Sequence, residues 1–167
     1  MIRPLFNFDT SDSVADWSAI DDGVMGGESR SRLIHNDAGY ALFTGTVSLA
    51  DGGGFASVRS RPLDLASPGA SAYSLEVYSD HRRYKLNLRT DDTFEGVNYQ
   101  TTFAAPPGRW ATLHLPLSSF APTFRGRPVA APRLDPQRVR QLGFMVADRQ
   151  AGSFELRVRW IRAECPG

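Results

Sequence analysis

A glycine-rich segment near the N-terminus holds the residues best suited to chemistry. Asp21 and Asp22 stand side by side, and Gly23, Gly26 and Gly27 follow them. Glycine allows a backbone to approach a ligand closely, and paired carboxylates can hold a hard cation through oxygen ligands. The spacing matches no EF-hand loop, and the Gly-Lys-Ser/Thr ending of a phosphate-binding loop is absent. We therefore interpret the segment as a structural turn, with a ligand loop as the alternative, and predict no metal or cofactor.

A second glycine-rich segment, residues 51–59, ends in Arg59. The simple interpretation is a hairpin connection followed by a strand whose arginine pairs with a carboxylate. The alternative places Arg59 beside Asp21 and Asp22 as a buried clamp, because a buried charge needs a partner. Lys85 is the only lysine among the 19 basic residues, and arginine can bind a carboxylate or phosphate through two parallel hydrogen bonds.

Three consecutive segments, residues 73–78, 84–89 and 97–103, alternate apolar and polar side chains with the period of two typical of strands. If they pair in order as a meander, their polar side chains form one surface. A concave surface of that kind could recognise a sugar or a peptide, and the alternative is a solvated face. The candidate sugar-binding residues on it are Tyr78, Lys85, Asn87, Arg89 and Gln100, with Glu76, Asp80, Asn98 and Thr102 beside them.

Catalytic chemistry has little support in the sequence. His35, His81 and His114 lie in separate contexts without metal-ligand spacing, and no Gly-x-Ser-x-Gly elbow is present. Cys165, the sole cysteine, is a poor nucleophile candidate in the tail. Carboxylates are numerous enough for the acid/base pair of a glycoside hydrolase, although no two are placed face to face by the sequence. We predict no catalytic residues and no enzyme activity.

Composition excludes several classes of protein. The 167 residues fit one domain, residues 1–167, and 41% hydrophobic with 22% charged residues is typical of a folded chain. A formal net charge of +1 argues against a nucleic-acid-coating protein. No apolar run suits a signal peptide or approaches the roughly 20 residues that span a bilayer. With a single cysteine excluding internal disulfides, we predict a cytoplasmic, reducing location without an integral membrane segment.

The remaining pattern predicts many short strands and little helix. Further strands are expected at residues 5–8, 41–49, 55–60, 111–115, 141–147 and 154–161, separated by Gly, Pro, Asp and Asn. Asp135 and Pro136 form a helix N-cap and first position for one short turn through Leu142. This organisation is typical of an all-β antiparallel β-sandwich of jelly-roll type.

Several segments together resemble the complex I intermediate-associated protein 30 family. They are Trp17 with residues 21–29, then residues 43–45, 53–59, 84–89, 99–103, 110–116, 120–127, 142–150 and 152–156. The resemblance implies a galactose-binding-like jelly roll and kinship with mitochondrial, chaperone-like assembly factors of respiratory complex I that carry out no known chemistry. This chain lacks their transit peptide and long N-terminal extension, so we expect a bacterial protein.

The family's motifs also imply a binding edge. Its candidate residues are Asp22, Gly26, Gly27, Arg59, Arg125 and Gln150. Arg125 could instead pair with Asp148, and Tyr84 and Tyr99 are predicted to lie in the core, since they alternate with polar residues. The leading hypothesis is a non-enzymatic module that binds a protein partner such as a membrane-complex assembly intermediate. The alternatives are a carbohydrate-binding module and, third, a carboxylate-based glycoside hydrolase.

Overall fold

A computed structural model describes residues 1–21, 23, 27–50, 53–91 and 97–166. This part of the chain contains three short 3₁₀ turns, Ser11–Val14, Leu117–Ser119 and Pro136–Arg138, and thirteen β-strands. The strands are β1 (Ile2–Asn7), β2 (Trp17–Ala19), β3 (Arg30–Asn36), β4 (Tyr40–Val47), β5 (Ala56–Ser60), β6 (Ala72–Ser79), β7 (Tyr84–Thr90), β8 (Asn98–Phe103), β9 (Trp110–Pro116), β10 (Ala121–Phe124), β11 (Arg127–Pro128), β12 (Val139–Val146) and β13 (Gly152–Glu164).

The strands form two antiparallel sheets, which confirms the predicted all-β sandwich of jelly-roll type. In the described residues the first sheet has six strands in the order β3-β4-β13-β6-β9, with β1 also paired to β13. The second sheet has seven strands in the order β11-β10-β8-β7-β12-β5-β2. Because β13 is long, β4 pairs with its first half and β1 with its second half.

The core lies between the two sheets and is rich in aromatic rings. Phe43 of the first sheet contacts Tyr84 and Phe144 of the second, at 6.1 and 6.4 Å between ring centroids. Tyr84 and Tyr99 are both buried, as predicted from their alternation with polar residues. One apolar face on each sheet therefore explains the period-two pattern.

The predicted three-strand meander is wrong. β6 pairs with β13 and β9 in the first sheet, whereas β7 and β8 pair with each other in the second. The chain changes sheets after β6 at Asp80, whose carboxylate accepts hydrogen bonds from the Arg82 backbone N–H, the Tyr84 hydroxyl and the Glu155 backbone N–H. Tyr78 and Glu76 therefore do not share a surface with the polar residues of β7 and β8. Alternation identifies faces but does not identify the neighbouring strand.

The predicted helical turn is present in a shorter form. The Asp135 side chain accepts a hydrogen bond of 3.0 Å from the Gln137 backbone N–H, and Pro136 follows the cap. The turn ends at Arg138, where β12 begins. In the described residues no helix is long and apolar enough to cross a bilayer.

Candidate binding groove

The outer face of the second sheet carries a groove of about 860 Å³. Its base is formed by β5, β12, β7 and β8, with Phe55 at one side and Phe124 of β10 at the other. This volume falls in the range of small-molecule and peptide pockets. A solvated sheet face needs no such depression, so we take the groove as the candidate functional site.

Strand register explains why the groove forms in the middle of the sheet. Arg59 stands opposite Gly143, Gly143 opposite Asn87, and Asn87 opposite Gln100, so these four positions form one row across the sheet. Gly143 contributes no side chain to this row. A Cβ atom there would lie 2.8 Å from the Val58 carbonyl oxygen, closer than packing allows. The backbone of β5 lies close against Gly143, and the groove passes over this position between the arginine and the two amides.

Amide side chains along the base are held in place by one another. Gln100 Nε2 donates to Asn87 Oδ1 at 2.8 Å, and Arg89 Nε donates to Asn98 Oδ1 at 2.9 Å. Gln141 Nε2 donates to the Ser60 carbonyl at 3.0 Å. In the described part of the chain, Asn87 Nδ2 and Gln100 Oε1 have no such partner. A ligand in the groove thus meets one fixed donor and one fixed acceptor.

Positive side chains outnumber negative ones in the groove. Arg59, Lys85, Arg89 and Arg125 line it, and Asp148 is the only carboxylate among the described lining residues. Lys85 Nζ lies 3.4 Å from Asp148 Oδ2, so the charges of these two side chains neutralise each other. Burial lowers the pKa of Arg59, and burial together with the nearby charge of Arg59 lowers the pKa of Arg89. The two guanidinium groups are therefore close and partly desolvated.

The hairpin between β10 and β11 places another arginine at the groove. Phe124 pairs with Arg127, so Arg125 and Gly126 form a two-residue turn, with φ of 49° and 79°. Two positive φ angles are those of a type I′ turn, which favours Asn-Gly. Arg125 is exposed, and its guanidinium carbon lies 5.3 Å from the centre of the Phe124 ring. An arginine thus occupies a turn position where asparagine is the preferred residue.

Residues from both predicted sets meet in this groove. Arg59 and Arg125 come from the predicted binding edge, and Lys85, Asn87, Arg89 and Gln100 come from the predicted sugar face. Tyr78, the aromatic member of the sugar face, lies on the first sheet. The groove is thus a combination of two surfaces that the sequence suggested separately.

The structure does not assign the other candidates of the binding edge to the groove. Asp22 and Gly26 fall outside the described residues, and Gly27, which is described, does not line the groove. Gln150 forms a two-point clamp on the backbone of Arg83, donating to its carbonyl at 2.8 Å and accepting from its N–H at 2.9 Å. This use of the amide fixes the turn between β12 and β13.

Two ion pairs that the sequence suggested as alternatives are not found among the described side chains, and Asp22, one of the two carboxylates of the suggested Arg59 clamp, lies outside them. Asp21 accepts hydrogen bonds of 3.0 Å from the backbone N–H groups of Ser31 and Ser57, so it holds its segment to β3 and β5 without contacting Arg59. Asp148 pairs with Lys85 and not with Arg125. The hydrogen bond from the Ser57 backbone N–H to Asp21 holds Asp21 against the second glycine-rich segment at Ser57, which lines the groove.

Residues of β12 are the part of the site that sequence reasoning missed. Gln141, Gly143 and Met145 line the groove, while Leu142 and Phe144 between them face inward and are buried. That alternation is visible in the sequence. It identifies the outward residues of β12, although it cannot place them between β5 and β7.

The outer face of the first sheet is a second polar and aromatic surface. Arg157 stacks on Tyr78, with the guanidinium carbon 4.4 Å from the ring centre. Arg159 stacks on Trp110 at 3.9 Å and forms an ion pair of 2.5 Å with Glu76. Each of these arginines thus has its partners within the sheet.

The described lining of the groove does not contain the carboxylate pair of a glycoside hydrolase. A glycoside hydrolase requires two carboxyl groups facing each other, and Asp148 stands there without a second carboxylate among the described lining residues. In the same part of the chain, no three His, Cys, Asp or Glu side chains are grouped to hold a metal ion.

Comparison with known proteins agrees with the sequence motifs. A family model, "Complex I intermediate-associated protein 30 (CIA30)", matches residues 6–158. The mitochondrial complex I intermediate-associated protein 30 of Neurospora crassa is 28% identical, over 96% of this chain and 73% of its own length. An uncharacterised Schizosaccharomyces pombe protein is 30% identical, over 89% of this chain and 77% of its own.

Among solved structures, a family 11 carbohydrate-binding module from Clostridium thermocellum, in complex with a β-1,3-1,4-mixed-linked tetrasaccharide, has the same fold. It superposes with a TM-score of 0.73 at 16% identity, covering 98% of this chain and 95% of the module. The motifs and the family match, supported by two relatives along most of their length, establish that this chain belongs to the complex I intermediate-associated protein 30 family.

Proposed function

We propose that the protein is a non-enzymatic binding module that assists the assembly of respiratory complex I by holding a segment of a partner protein in the groove. Family membership supports the link to complex I. The observation that carries the proposal is the groove itself, where Asn87 and Gln100 retain hydrogen-bonding capacity in a lining that also includes Arg59 and Gly143. A chaperone-like module needs hydrogen-bonding groups that are still available, because it binds a partner protein before that partner is assembled.

The chemistry of the groove suits an extended polypeptide. Each peptide unit offers one N–H donor and one carbonyl acceptor, which match the free amide atoms of Asn87 and Gln100. Apolar side chains of a ligand would contact Phe55, Phe124 and Met145. Methionine adapts to ligands of different shape because its side chain is unbranched and polarizable.

The test is capture of partners from the native host with a blocked groove as the comparison. Gln100→Trp fills the groove, and Thr102→Trp puts the same bulk on the same face of β8 at an exposed residue outside the groove. We expect the tagged wild type and Thr102→Trp to enrich complex I subunits or intermediates, and Gln100→Trp to lose at least about tenfold of that enrichment. Circular dichroism checks that both variants fold.

Two results would contradict the proposal. One is a wild-type capture that recovers nothing specific, combined with normal complex I content in a deletion strain. The other is equal capture by Gln100→Trp and the wild type. That result would show that the groove is not part of the binding surface, even if a partner exists.

Carbohydrate binding is the second candidate function. It is favoured by the amides of Asn87 and Gln100, since sugar hydroxyls also pair with donors and acceptors, and by the fold shared with a module solved with a tetrasaccharide. It is weakened because Tyr78, the expected aromatic platform, lies on the other sheet. Calorimetric titration with mixed-linkage β-glucan oligosaccharides and galactosides tests it, and flat responses to both would remove it.

We also propose that the protein acts in the cytoplasm. A single cysteine, Cys165, excludes internal disulfides and therefore fits a reducing compartment. Fractionation of host cells with an antibody to the protein checks this, and recovery outside the cytoplasmic fraction would contradict it.

A further inference from the structure

Arg59 is a partly buried arginine of the groove that has no carboxylate partner among the described residues. In the described residues, six other arginines lie within 4 Å of a carboxylate: Arg61, Arg82, Arg138, Arg140, Arg157 and Arg159. No carboxylate of the described residues takes that place beside Arg59, and burial alone accounts for its lowered pKa. The groove therefore contains a cation, Arg59, for which the described residues supply no anion.

The surroundings of Arg59 increase its attraction for an anion. It is half-buried, so water screens its charge less than it screens a fully exposed group. Burial and, after it, the charge of Arg59 lower the pKa of Arg89, so a second positive charge lies on the same side of the groove. Lys85 is already neutralised by Asp148. Arg59 therefore contributes a positive charge to the groove that no described carboxylate offsets.

The groove runs beside Arg59. Gly143, its partner on β12, has no side chain, and both residues line the groove, so a ligand in the groove can reach the guanidinium. Two parallel N–H···O bonds between a guanidinium and a carboxylate are a strong and geometrically specific contact. The same row continues to Asn87 and Gln100, about 10 and about 14 Å from Arg59 at ordinary strand spacing. That length accommodates several residues of extended chain beyond the anionic group.

We propose that Arg59 receives the carboxylate of an acidic side chain in a partner polypeptide that lies along the groove. This inference rests on the proposed function and specifies the chemistry of the partner segment: an acidic residue over Gly143 and a polar backbone over Asn87 and Gln100. Arg125 at the opposite side adds a second cation that favours an acidic segment. A partner segment without an acidic side chain lacks the carboxylate that would bind to Arg59.

The test uses ¹⁵N-labelled protein titrated with capped peptides of six glutamates or six glutamines. We expect the glutamate peptide to shift the amide signals of the groove strands in a saturable way, and the glutamine peptide to bind at least about tenfold more weakly. Arg59→Gln should weaken binding of the glutamate peptide about tenfold or more, and Arg59→Lys should restore part of it, because lysine keeps the charge without the two-point geometry. Arg61→Gln is the matched control, since Arg61 pairs with Asp16 outside the groove.

Several outcomes overturn the inference. They are equal binding of the two peptides, shifts centred on Arg157 and Arg159 of the first sheet, or an unchanged affinity in Arg59→Gln. Inorganic phosphate and glucuronate are titrated in parallel, and tighter binding of either at Arg59 than of the glutamate peptide also overturns it.

Partner capture separates this inference from the proposed function. If Gln100→Trp abolishes capture from the host while Arg59→Gln retains it, the groove binds its partner without the carboxylate contact, and only the inference fails. If the wild type captures no partner, the proposed function fails, and the peptide titration still reports whether Arg59 binds carboxylates.

Discussion

The outer faces of the two sheets use similar residues with different results. On the first sheet, Arg157 and Arg159 stack on Tyr78 and Trp110, and each also pairs with a glutamate. On the second sheet, Arg59 faces a groove in which no described carboxylate pairs with it. The first face satisfies its charges internally, and the second leaves bonding capacity for a ligand.

This difference shows that residue type alone is a weak guide to a binding site. A surface rich in arginine and aromatic rings resembles an interface in composition. On the first sheet those groups already bind one another, so a ligand would have to displace existing contacts. Unused hydrogen-bonding and ionic capacity next to an empty volume is the better indicator, and only the groove provides both in the described structure.

The largest predicted effect comes from the core that supports both faces. Phe43 lies between the sheets and contacts Phe154 at 4.8 Å and Tyr84 at 6.1 Å. Phe43→Ala should lower the free energy of unfolding by about 3–5 kcal/mol, because it leaves a cavity among buried rings. Urea unfolding measures this loss, and a loss below about 1 kcal/mol would mean that the two faces are not supported by a common core.

Two buried tyrosines, one from each sheet, should respond differently to loss of the hydroxyl. The Tyr84 hydroxyl donates to Asp80 at 3.0 Å, whereas the buried Tyr73 hydroxyl has no hydrogen-bond partner among the described residues. Tyr84→Phe should cost about 1–2 kcal/mol, and Tyr73→Phe should be neutral or slightly stabilising, because an unmet buried hydroxyl contributes only its desolvation cost. Equal losses in urea unfolding would contradict the assignment of Asp80 as the corner that joins the sheets.

The same tyrosines predict how stability depends on alkaline pH. Burial raises the pKa of both, and Asp80 raises that of Tyr84 further. The folded protein therefore keeps these protons above about pH 10, where the unfolded chain loses them. Stability should fall as pH rises past that value, since the folded state then binds more protons. The double Phe variant should show a flatter decline in urea midpoints between pH 9 and 11, and an unchanged slope would contradict this cause.

The sequence predicted the faces of the strands more reliably than their neighbours. Alternation correctly identified Tyr84 and Tyr99 as core and Lys85, Asn87 and Gln100 as outward. Alternation gave no information on which strands pair with each other, because a strand with one buried face shows the same pattern in either sheet. The sheet change at Asp80 depends on bonds to Tyr84 and Glu155, and the latter is 75 residues away in the chain.

The groove was predictable only in fragments for the same reason. Arg59 lies on β5 and Asn87 on β7, and they come together because β12 inserts between these strands with Gly143 in register. That register is set by long-range pairing and by the close approach of Val58, which excludes a side chain at Gly143. No local pattern around any of these residues contains this information.

A smaller effect tests the comparison of the two faces directly. Arg159→Met removes an ion pair with Glu76 and the contact with Trp110, and should cost about 1 kcal/mol. Arg59→Met removes a partly desolvated charge without a described carboxylate partner, so stability should stay within about 0.5 kcal/mol or rise. Urea midpoints of both variants provide the measurement. A loss of 1 kcal/mol at Arg59 would indicate that the residue is structural, as Arg159 is.

The smallest effect concerns the turn at the side of the groove. Arg125 has a φ of 49°, a conformation that asparagine adopts more easily than arginine. Arg125→Asn should therefore raise stability by about 0.5 kcal/mol and at the same time weaken binding of the glutamate peptide, because a cation is lost from the groove. Arg127→Asn, an exposed position on β11 outside the groove, is the control and should change neither quantity. A gain in stability without a loss in binding would show that the ligand does not reach Arg125. The binding surface of the second sheet would then consist of Arg59 and the residues in its row.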